Sequence, residues 1–288
     1  MNDKRLYSPK YIRELLDRHG FKFSKQLGQN FLIDGNIVRN IVKKAGIGKE
    51  DYVLEIGPGI GTLTEELALN AKKVVAVEID KNLLPILDET LAHYNNVEIV
   101  HGDILKVDIK KLIDEKLGGG PIKVVANLPY YVTTPIIAML IEEDLNIESI
   151  TVMIQKEVAD RIAAKPGTKQ YGSLTVFVNF YCSVENLLLV PKTVFMPSPK
   201  VDSAVVKLNL KKTIEDIDKK VFFQVVRTAF NQRRKTILNS LASGLSYEKE
   251  AIKEILEECN IPLNARAENL KIEDFLKISK RLTSLNIY

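Results

Sequence analysis

The sequence predicts an α/β protein with a largely parallel sheet and a small all-helical domain at its carboxyl end. From Asp51 onward, short apolar runs alternate with amphipathic stretches, which is the pattern of parallel strands joined by crossover helices. Beyond Lys211, apolar residues recur at helical spacing to the end of the chain. The length of 288 residues exceeds the usual size of one domain, so we expect more than one.

The first 50 residues are expected to form two helices on either side of a basic segment. Ser8 as N-cap and Pro9 at the first helical position predict a helix over residues 8–19. An amphipathic stretch over residues 36–45 predicts a second helix. Residues 21–34 between them are basic, aromatic and interrupted by glycine. We predict that residues 1–50 form a segment that closes over a ligand site.

Residues 51–210 are expected to carry the sheet. Short apolar runs predict five strands, over residues 52–56, 74–79, 97–100, 122–126 and 150–154. Two of the intervening segments predict helices, over residues 63–70 and 81–94. Residues 174–181 and 201–210 are rich in β-forming residues, and we expect them to form an antiparallel hairpin at the sheet edge. The three glycines at 118–120 predict a surface loop.

The distribution of charge and of cysteine restricts the class of protein. Basic residues outnumber acidic ones in residues 1–50 and 211–288, whereas acidic residues dominate in between. An acidic centre suits an enzyme site and basic ends suit a polyanion, although a solvated surface is the alternative. Cys182 and Cys259 are far apart and no histidine stands at ligand spacing from them, so we expect neither a disulfide framework nor a metal. The chain shows no membrane-spanning or secretory pattern, so we expect a cytoplasmic location.

The sequence Asn127, Leu128, Pro129, Tyr130 follows the predicted strand 122–126 and suits recognition of an exocyclic amine. The Asn127 side-chain oxygen and the Leu128 carbonyl can accept the amine hydrogens, and Tyr130 offers a ring face for stacking. Pro129 fixes its own φ near about −65° and restricts Leu128, so these acceptors are held in place. The alternative is an ordinary turn between a strand and a helix.

Glycines and carboxylates follow the first three predicted strands. Gly57 and Gly59 lie in a G-x-G-x-G turn, which lacks both the longer dinucleotide pattern and the lysine of a phosphate-binding loop. Glu78 ends the second strand, where a carboxylate can accept both hydroxyls of a ribose. Asp103 follows the third strand and is placed to accept an adenine amino group. The alternatives are a solvated helix start for Glu78 and an ordinary turn for Asp103.

These signals together predict one nucleoside-like ligand. The carboxyl ends of strands in an open α/β sheet converge on one crevice, so the separate signals reinforce each other. Adenine and ribose sites beside glycine backbone, without a phosphate site, describe S-adenosylmethionine. The sequence therefore predicts this compound as the cofactor and a methyl transfer as the reaction.

Four motifs in order resemble the ribosomal RNA adenine dimethyltransferases. They are G-Q-N-F-L at 28–32, E-I-G-P-G-I-G at 55–61, N-L-P-Y at 127–130 and F-M-P-S-P-K-V-D-S at 195–203. The helical tail with residues 232–236 is similar to theirs as well. The resemblance implies a Rossmann-like class I methyltransferase that forms N6,N6-dimethyladenosine at two adjacent adenines in the 3′-terminal hairpin loop of 16S ribosomal RNA. It also implies a role in small-subunit maturation. Ser173 stands where we expect a basic residue, which puts one RNA contact in doubt.

The resemblance, with the reasoning above, assigns the site residues. Catalysis and base binding are expected at Asn127, Leu128, Pro129, Tyr130 and Phe195. Cofactor binding is expected at Gln29, Asn30, Leu32, Gly57, Gly59, Glu78, Ile79, Asp103, Ile104 and Asn127. Pro197 and Pro199 are expected to hold the segment of Phe195 in a loop instead of a strand interior, which favours stacking on the base over a core position. Gln29 and Asn30 are expected to close over the bound cofactor, the alternative being a surface loop.

The helical domain, residues 211–288, is predicted to bind RNA. The basic residues expected to contact phosphates are Arg227, Arg233, Arg234 and Lys235, although each could belong to a solvated helix face. Neither a heptad pattern nor a large apolar patch indicates a dimer, so we expect a monomer. The partner is expected to be 16S ribosomal RNA within a small subunit or its precursor.

Two other functions agree with the same motifs. One is the related methyltransferase that modifies large-subunit ribosomal RNA and confers macrolide resistance. The long helical tail and Leu128, where that relative more often carries isoleucine, favour the small-subunit enzyme. The other is a protein that binds RNA or DNA without turnover, as an assembly checkpoint or a transcription factor. An intact set of cofactor residues argues against binding alone.

Overall fold

The computed structural model describes residues 6–24, 26–211, 217–245 and 247–285. The parts of the predicted domains that fall on residues 1–5, 25, 212–216, 246 and 286–288 lie outside the described residues. The chain divides into two compact units: Met1–Ala159 with Glu185–Leu210, and Asp160–Val184 with Lys211–Tyr288. Residues 160–184 therefore belong to the second unit, whereas the sequence boundaries place them with residues 51–210.

The described residues form nine strands and twelve α-helices. The strands are β1 (Phe31–Leu32), β2 (Tyr52–Ile56), β3 (Lys73–Glu78), β4 (Val97–His101), β5 (Ile122–Asn127), β6 (Ile147–Gln155), β7 (Cys182–Val190), β8 (Phe195–Met196) and β9 (Ser203–Leu210). The helices are α1 (Pro9–Arg18), α2 (Gly35–Ala45), α3 (Thr62–Asn70), α4 (Leu84–Thr90), α5 (Ile109–Lys116), α6 (Thr133–Glu142), α7 (Lys156–Ile162), α8 (Ser173–Tyr181), α9 (Lys219–Phe230), α10 (Ile237–Gly244), α11 (Lys249–Glu258) and α12 (Ile272–Ser284). Over this described part of the chain, no helix has the length and apolar character needed to cross a membrane.

Seven strands form one mixed sheet in the order β4-β3-β2-β5-β6-β9-β7. The five strands from β4 to β6 are parallel, and β9 is antiparallel to β6. The two short strands β1 and β8 pair separately, with Leu32 opposite Phe195. This architecture confirms the predicted α/β fold, in which β2 lies between β3 and β5 and brings their carboxyl ends together.

Buried side chains on both faces explain why the central strands read as nearly continuous apolar runs. Val53, Leu54, Val74, Val75 and Val124 are fully buried, as expected for parallel strands covered by helices. Helix α2 packs against this core because its apolar positions recur at helical spacing. The Asp34 carboxylate caps its start by accepting hydrogen bonds from the two backbone N–H groups at 36 and 37.

Helix α4 is shorter than the predicted helix 81–94. Pro85 stands in its first turn, which favours a start at this point, and the preceding Leu83 N–H instead closes a turn onto the Asp80 carbonyl at 3.0 Å. At the other end the Tyr94 N–H bonds the Leu91 carbonyl at 2.9 Å in a separate turn. Local turns therefore replace helix at both ends.

The predicted hairpin of residues 174–181 and 201–210 is wrong, because residues 173–181 form helix α8. Valine and phenylalanine dominate this segment and favour strand by propensity. In the structure Val176 and Phe180, four residues apart, share a buried helix face in the second unit. The Thr175 hydroxyl also accepts the Gly172 N–H at 3.1 Å, which stabilises the helix start. Burial against the other helices thus overrides propensity, and the missed strand β7 follows directly.

The second unit is helical around its own apolar core, as predicted for the end of the chain. Helices α8 to α12 bury Phe222 and Phe275 completely. Most of the positions that recur at helical spacing are buried as well, whereas Thr228 and Leu238 are half-buried; the buried ones are Val221, Val225, Ala229, Ile237, Leu241, Ile252, Ile255 and Leu256. Asp218 caps α9 by accepting the Lys220 N–H at 2.9 Å.

Candidate active site

A pocket opens in the first unit where the carboxyl ends of β2, β3 and β5 meet. It lies where the polar residues that follow these strands predict a site. Twelve of the predicted site residues line it: Gln29, Asn30, Leu32, Gly57, Gly59, Glu78, Ile79, Asn127, Leu128, Pro129, Tyr130 and Phe195. The sheet order thus brings together residues that lie far apart in the sequence.

The turn between β2 and α3 presents backbone to the pocket. Gly57 and Gly59 have φ angles of 71° and 62°, a region that side chains with a Cβ rarely adopt. A Cβ on Gly59 would also lie only 3.1 Å from the Phe31 ring. Glycine at these positions therefore allows both the turn and the close approach of a ligand to the backbone.

The Glu78 carboxylate lies at the end of β3 with only 4% of the residue exposed. Its Oε2 accepts the Gly59 N–H at 3.2 Å, and its Oε1 accepts the Asp80 N–H at 2.8 Å. Burial raises the pKa of Glu78, the negative charge of Asp80 adds to the increase, and the two backbone hydrogen bonds oppose it. Each oxygen keeps acceptor capacity, so the group can bind a pair of hydroxyls.

Glu55 on β2 is a second carboxyl at the pocket wall, and its residue is 1% exposed. Neither of its oxygens accepts a hydrogen bond from the described residues. Burial raises the pKa of Glu55 to about 8; the nearby Thr64 hydroxyl, which is outside hydrogen-bond geometry, opposes the increase, and the charge of Glu78 adds to it. A buried carboxyl without a partner is costly, which is expected where a cationic ligand completes the site.

The loop before β1 is connected to the sheet by side-chain amides. The Gln29 Nε2 donates to the Asp80 carboxylate at 2.6 Å, and its Oε1 accepts the Ser24 N–H at 2.8 Å. The Asn30 amide donates to the Gly28 carbonyl at 3.0 Å. Gln29 therefore already holds this loop over the end of β3, where it forms one wall of the pocket.

Two acceptor oxygens at the end of β5 are available to a ligand. The Asn127 Nδ2 donates to the Asn30 carbonyl at 3.2 Å, which orients the amide. Its Oδ1 accepts no hydrogen bond from any residue in the described ranges, and the same holds for the Leu128 carbonyl oxygen. The Leu128 N–H donates to the Met153 carbonyl at 3.1 Å, so β6 fixes this turn. The turn can therefore accept two hydrogens from one amine.

Two predicted base-stacking rings line the pocket and differ in their surroundings. The Tyr130 hydroxyl bonds the Ser203 hydroxyl at 2.8 Å, which fixes the ring position. The expectation that Phe195 lies in a loop is wrong: pairing with Leu32 places it on strand β8, where it is only 4% exposed and packs in the core. Phe195 thus contributes to the core and to the pocket wall at once.

Asp103 and Ile104 follow β4, next to the end of β3, but they do not line the pocket. The Asp103 carboxylate accepts the Leu105 N–H at 3.1 Å and pairs with the Lys106 ammonium at 3.6 Å. Ile104 is buried. The carboxylate therefore stabilises its own turn at the edge strand of the sheet, and its role toward a ligand stays a prediction.

The basic residues predicted to contact RNA lie in the second unit and are exposed: Arg227, Arg233, Arg234 and Lys235. The Arg233 guanidinium donates to the Lys169 and Tyr171 carbonyl oxygens at 2.6 and 3.2 Å, so it also holds a loop of this unit. The side chains of the other three make no hydrogen bond or ion pair with residues that the structure describes. These three are free to contact a polyanion.

The sequence analysis does not assign a role to several residues at the pocket, among them Glu55, Asp80 and Tyr131. Glu55 stands inside a buried strand, where a charged residue is itself a signal. Asp80 connects Glu78 to Gln29 and follows β3 by two residues. Tyr131 also lines the pocket and is 60% exposed, but its neighbour Tyr130 carries the motif.

Comparisons with known proteins identify the family of this chain. The family model for the ribosomal RNA adenine dimethylase matches residues 20–284. The ribosomal RNA small subunit methyltransferase A of Alkaliphilus metalliredigens is 50% identical over 97% of this chain and 99% of its own length. The protein of the same name from Clostridioides difficile is 51% identical over 96% of each chain.

Two solved structures resemble the fold over most of its length. The dimethyladenosine transferase of Plasmodium falciparum is 29% identical, with a TM-score of 0.75, and the match covers 89% of this chain and 98% of that one. The 23S ribosomal RNA methyltransferase ErmE is 28% identical, with a TM-score of 0.68, and the match covers 88% of this chain and 99% of that one. Both confirm the class of fold inferred from the strand order.

Proposed function

Because this chain belongs to the ribosomal RNA adenine dimethylase family, we infer that it transfers methyl groups from S-adenosylmethionine to N6 of two adjacent adenines in 16S ribosomal RNA. The product is N6,N6-dimethyladenosine in the 3′-terminal hairpin loop, and the modification belongs to small-subunit maturation. The observation that carries the proposal is the pair of unused acceptors, Asn127 Oδ1 and the Leu128 carbonyl, in a pocket that also contains Glu78.

The residues of the pocket fit the cofactor. Glu78 accepts the ribose hydroxyls, and the backbone of Gly57 and Gly59 lets the ligand approach closely. Glu55, whose oxygens have no partner among the described residues, suits a ligand that carries an ammonium and a sulfonium. Gln29, through its hydrogen bond to Asp80, holds the loop before β1 as a wall of the pocket. When bound, S-adenosylmethionine supplies a methyl group that is already activated on sulfur.

The acceptors at the end of β5 prepare the adenine amine as a nucleophile. The amine lone pair is normally delocalised into the ring. When the Asn127 Oδ1 and the Leu128 carbonyl accept its two hydrogens, the nitrogen becomes more tetrahedral and its lone pair is directed toward the methyl donor. The same dipoles would stabilise positive charge on N6 as the N–C bond forms and the bond between the methyl group and sulfur breaks, which leaves a neutral thioether; the amine would then lose one proton to water. The hydrogen that remains after one transfer allows a second cycle.

The adenine ring is held by aromatic side chains. Tyr130, fixed through Ser203, and Phe195, fixed in the core, present ring surface to the pocket. Stacking of a base on an aromatic ring contributes about 1 to 3 kcal/mol. The base must leave its helix or loop to enter, and that cost is least for an unpaired nucleotide. A loop adenine is therefore a suitable substrate.

The helical unit contributes to RNA binding through Arg227, Arg234 and Lys235, whose side chains have no partner among the described residues and can contact phosphates. The substrate is 16S ribosomal RNA within a small subunit or its precursor. The enzyme acts as a monomer, and its place of action is the cytoplasm, where its substrate is assembled.

The large-subunit methyltransferase is the second candidate, favoured by the similarity to ErmE. That similarity amounts to 28% identity, whereas the small-subunit relatives reach 50 and 51% over nearly the whole chain. Leu128 also agrees with the small-subunit enzymes. A function in binding alone does not explain why two unused acceptors and a cofactor pocket lie together.

Asn127→Ala tests the proposed chemistry. The variant should lose roughly 10²- to 10³-fold in methyl transfer from tritiated cofactor to unmethylated small subunits, because one aligned acceptor is removed. Its circular dichroism and its affinity for the subunit should stay close to those of the unsubstituted protein. The exposed Asn95→Ala is the matched control and should transfer at the normal rate. Unchanged transfer in Asn127→Ala would exclude the proposed role of the turn.

A further inference from the structure

We propose that Tyr131 is a positioning residue that stacks on the base next to the target adenine, so that two consecutive tyrosines hold two consecutive bases. The inference rests on the proposed function, because it deepens the assignment of the substrate at the same pocket. It assigns the base in the pocket to Tyr130 and its neighbour in the RNA to Tyr131.

The exposure of Tyr131 separates it from the other rings at this site. The residue is 60% exposed, the highest value among the large hydrophobic residues that the structure describes as exposed. Its neighbour Tyr130 is half-buried and bonded to Ser203. Tyr131 nevertheless lines the pocket, so its open ring surface lies at the pocket entrance. An open aromatic ring at the entrance of a pocket that takes a base offers a face on which a second base can stack.

The packing of Tyr131 positions the ring without covering it. A Cβ on Gly28 would lie 3.5 Å from the Tyr131 Cδ1, so the ring runs alongside the glycine backbone. The Pro129 Cβ would lie 3.6 Å from the same added Cβ on Gly28, so Pro129 is also close to this glycine. The ring is thus supported by the loop before β1 and by the stiff turn after β5, and it remains open to solvent.

The chemistry around the ring favours a nucleobase as its occupant. Partial burial raises the pKa of the Tyr131 phenol and the negative charge of Asp103 adds to the increase, so the ring is neutral at physiological pH. A neutral ring stacks on any base, whatever its hydrogen-bonding edge. A lone ring beside the polar residues of the pocket offers too little apolar surface for a protein partner.

Extrusion of the target adenine creates the need for such a ring. When one base leaves the stack, its neighbour loses a stacking partner, and this loss is part of the cost of extrusion. Tyr131 replaces the lost partner. Tyr131 contacts the neighbour on one side of the extruded base, and for one of the two transfers that neighbour is the other target adenine.

The test combines protein variants with altered RNA. The substrates are unmethylated small subunits reconstituted with 16S ribosomal RNA in which one target adenine is retained and the other is either present or replaced by an abasic nucleotide. The proteins are the unsubstituted chain, Tyr131→Ala, Tyr131→Phe and Leu189→Ala. Leu189 is 57% exposed on another part of the first unit and serves as the control for loss of an exposed apolar side chain. KM for the subunit and kcat are measured separately.

On intact RNA, Tyr131→Ala should raise KM roughly 5- to 150-fold, the range that corresponds to one stacking contact. Tyr131→Phe, which keeps the ring, should restore most of the affinity, and Leu189→Ala should match the unsubstituted protein. On abasic RNA, Tyr131→Ala and the unsubstituted protein should have the same KM. For the unsubstituted protein, loss of the neighbouring base alone should raise KM by the same factor.

Two results would overturn the inference. An equal loss for Tyr131→Ala on intact and abasic RNA would show that the ring acts on the pocket and not on the neighbouring base. An unchanged KM for the unsubstituted protein on abasic RNA would show that the neighbouring base contributes nothing to binding. This result does not depend on whether Tyr131→Ala folds. Absence of transfer by the unsubstituted protein on intact RNA would instead contradict the proposed function itself.

Discussion

The free energy of unfolding should fall as the pH rises because of Glu55, and replacing Glu55 by glutamine should remove this fall. The carboxyl is fully buried and unpartnered among the described residues, and its pKa is raised from an ordinary 4.5 to about 8. Between these pH values the folded protein binds more protons at Glu55 than the unfolded chain does. The free energy of unfolding therefore falls with rising pH in this range.

The size of the effect follows from the pKa difference. Below pH 4.5 the carboxyl is neutral in both states, and its contribution to stability is fully present; above about 8 it is charged in both states, and that contribution is lost. At about 1.36 kcal/mol for each pKa unit, the loss across the window is roughly 5 kcal/mol. Glutamine carries no charge, so its cost of burial is the same at every pH.

Urea unfolding of the protein without cofactor at pH 5 and pH 9 measures the effect. The free energy of unfolding of Glu55→Gln, relative to the unsubstituted protein, should increase by several kcal/mol between the two conditions. The exposed Glu143→Gln is the matched control and should follow the unsubstituted protein at both pH values. The reasoning is refuted if Glu55→Gln and the unsubstituted protein lose the same stability between pH 5 and pH 9.

Two further substitutions test binding. Glu78→Gln leaves one acceptor oxygen where two backbone N–H groups now bond the carboxylate, so calorimetry should show a cofactor Kd raised roughly 10- to 150-fold; an unchanged Kd would contradict the ribose assignment. Arg234→Ala with Lys235→Ala removes two free cations, and the slope of log K for RNA against log salt should become shallower by about 1 per lost phosphate contact. An unchanged slope would place the RNA elsewhere.

Strand positions in the first unit could be predicted because parallel strands buried on both faces give continuous apolar runs. The same rule misleads at residues 174–181, where valines and phenylalanines form a buried helix instead. Nothing in that segment identifies the partner helices α9 and α12 that cover it, and its secondary structure depends on them. Local propensity carries no information about such distant contacts.

The site could be predicted where a polar residue directly follows a strand, as with Glu78 and Asn127. The sheet order then brings such ends together, which sequence separation alone does not reveal. Glu55 could not be predicted as a site residue, because it lies within a strand and its raised pKa depends on tertiary burial. Asp103 is the opposite case. It directly follows strand β4, as the rule requires, but its carboxylate accepts a hydrogen bond within its own turn.

The most direct test of the central claim is to incubate the protein with unmethylated small subunits and labelled S-adenosylmethionine, and to map the modified nucleotides by mass spectrometry. The account predicts N6,N6-dimethyladenosine at two adjacent adenines in the 3′-terminal hairpin loop of 16S ribosomal RNA, with no label in large subunits treated in parallel. Label on large-subunit RNA instead, or binding of the small subunit without any transfer, would contradict it.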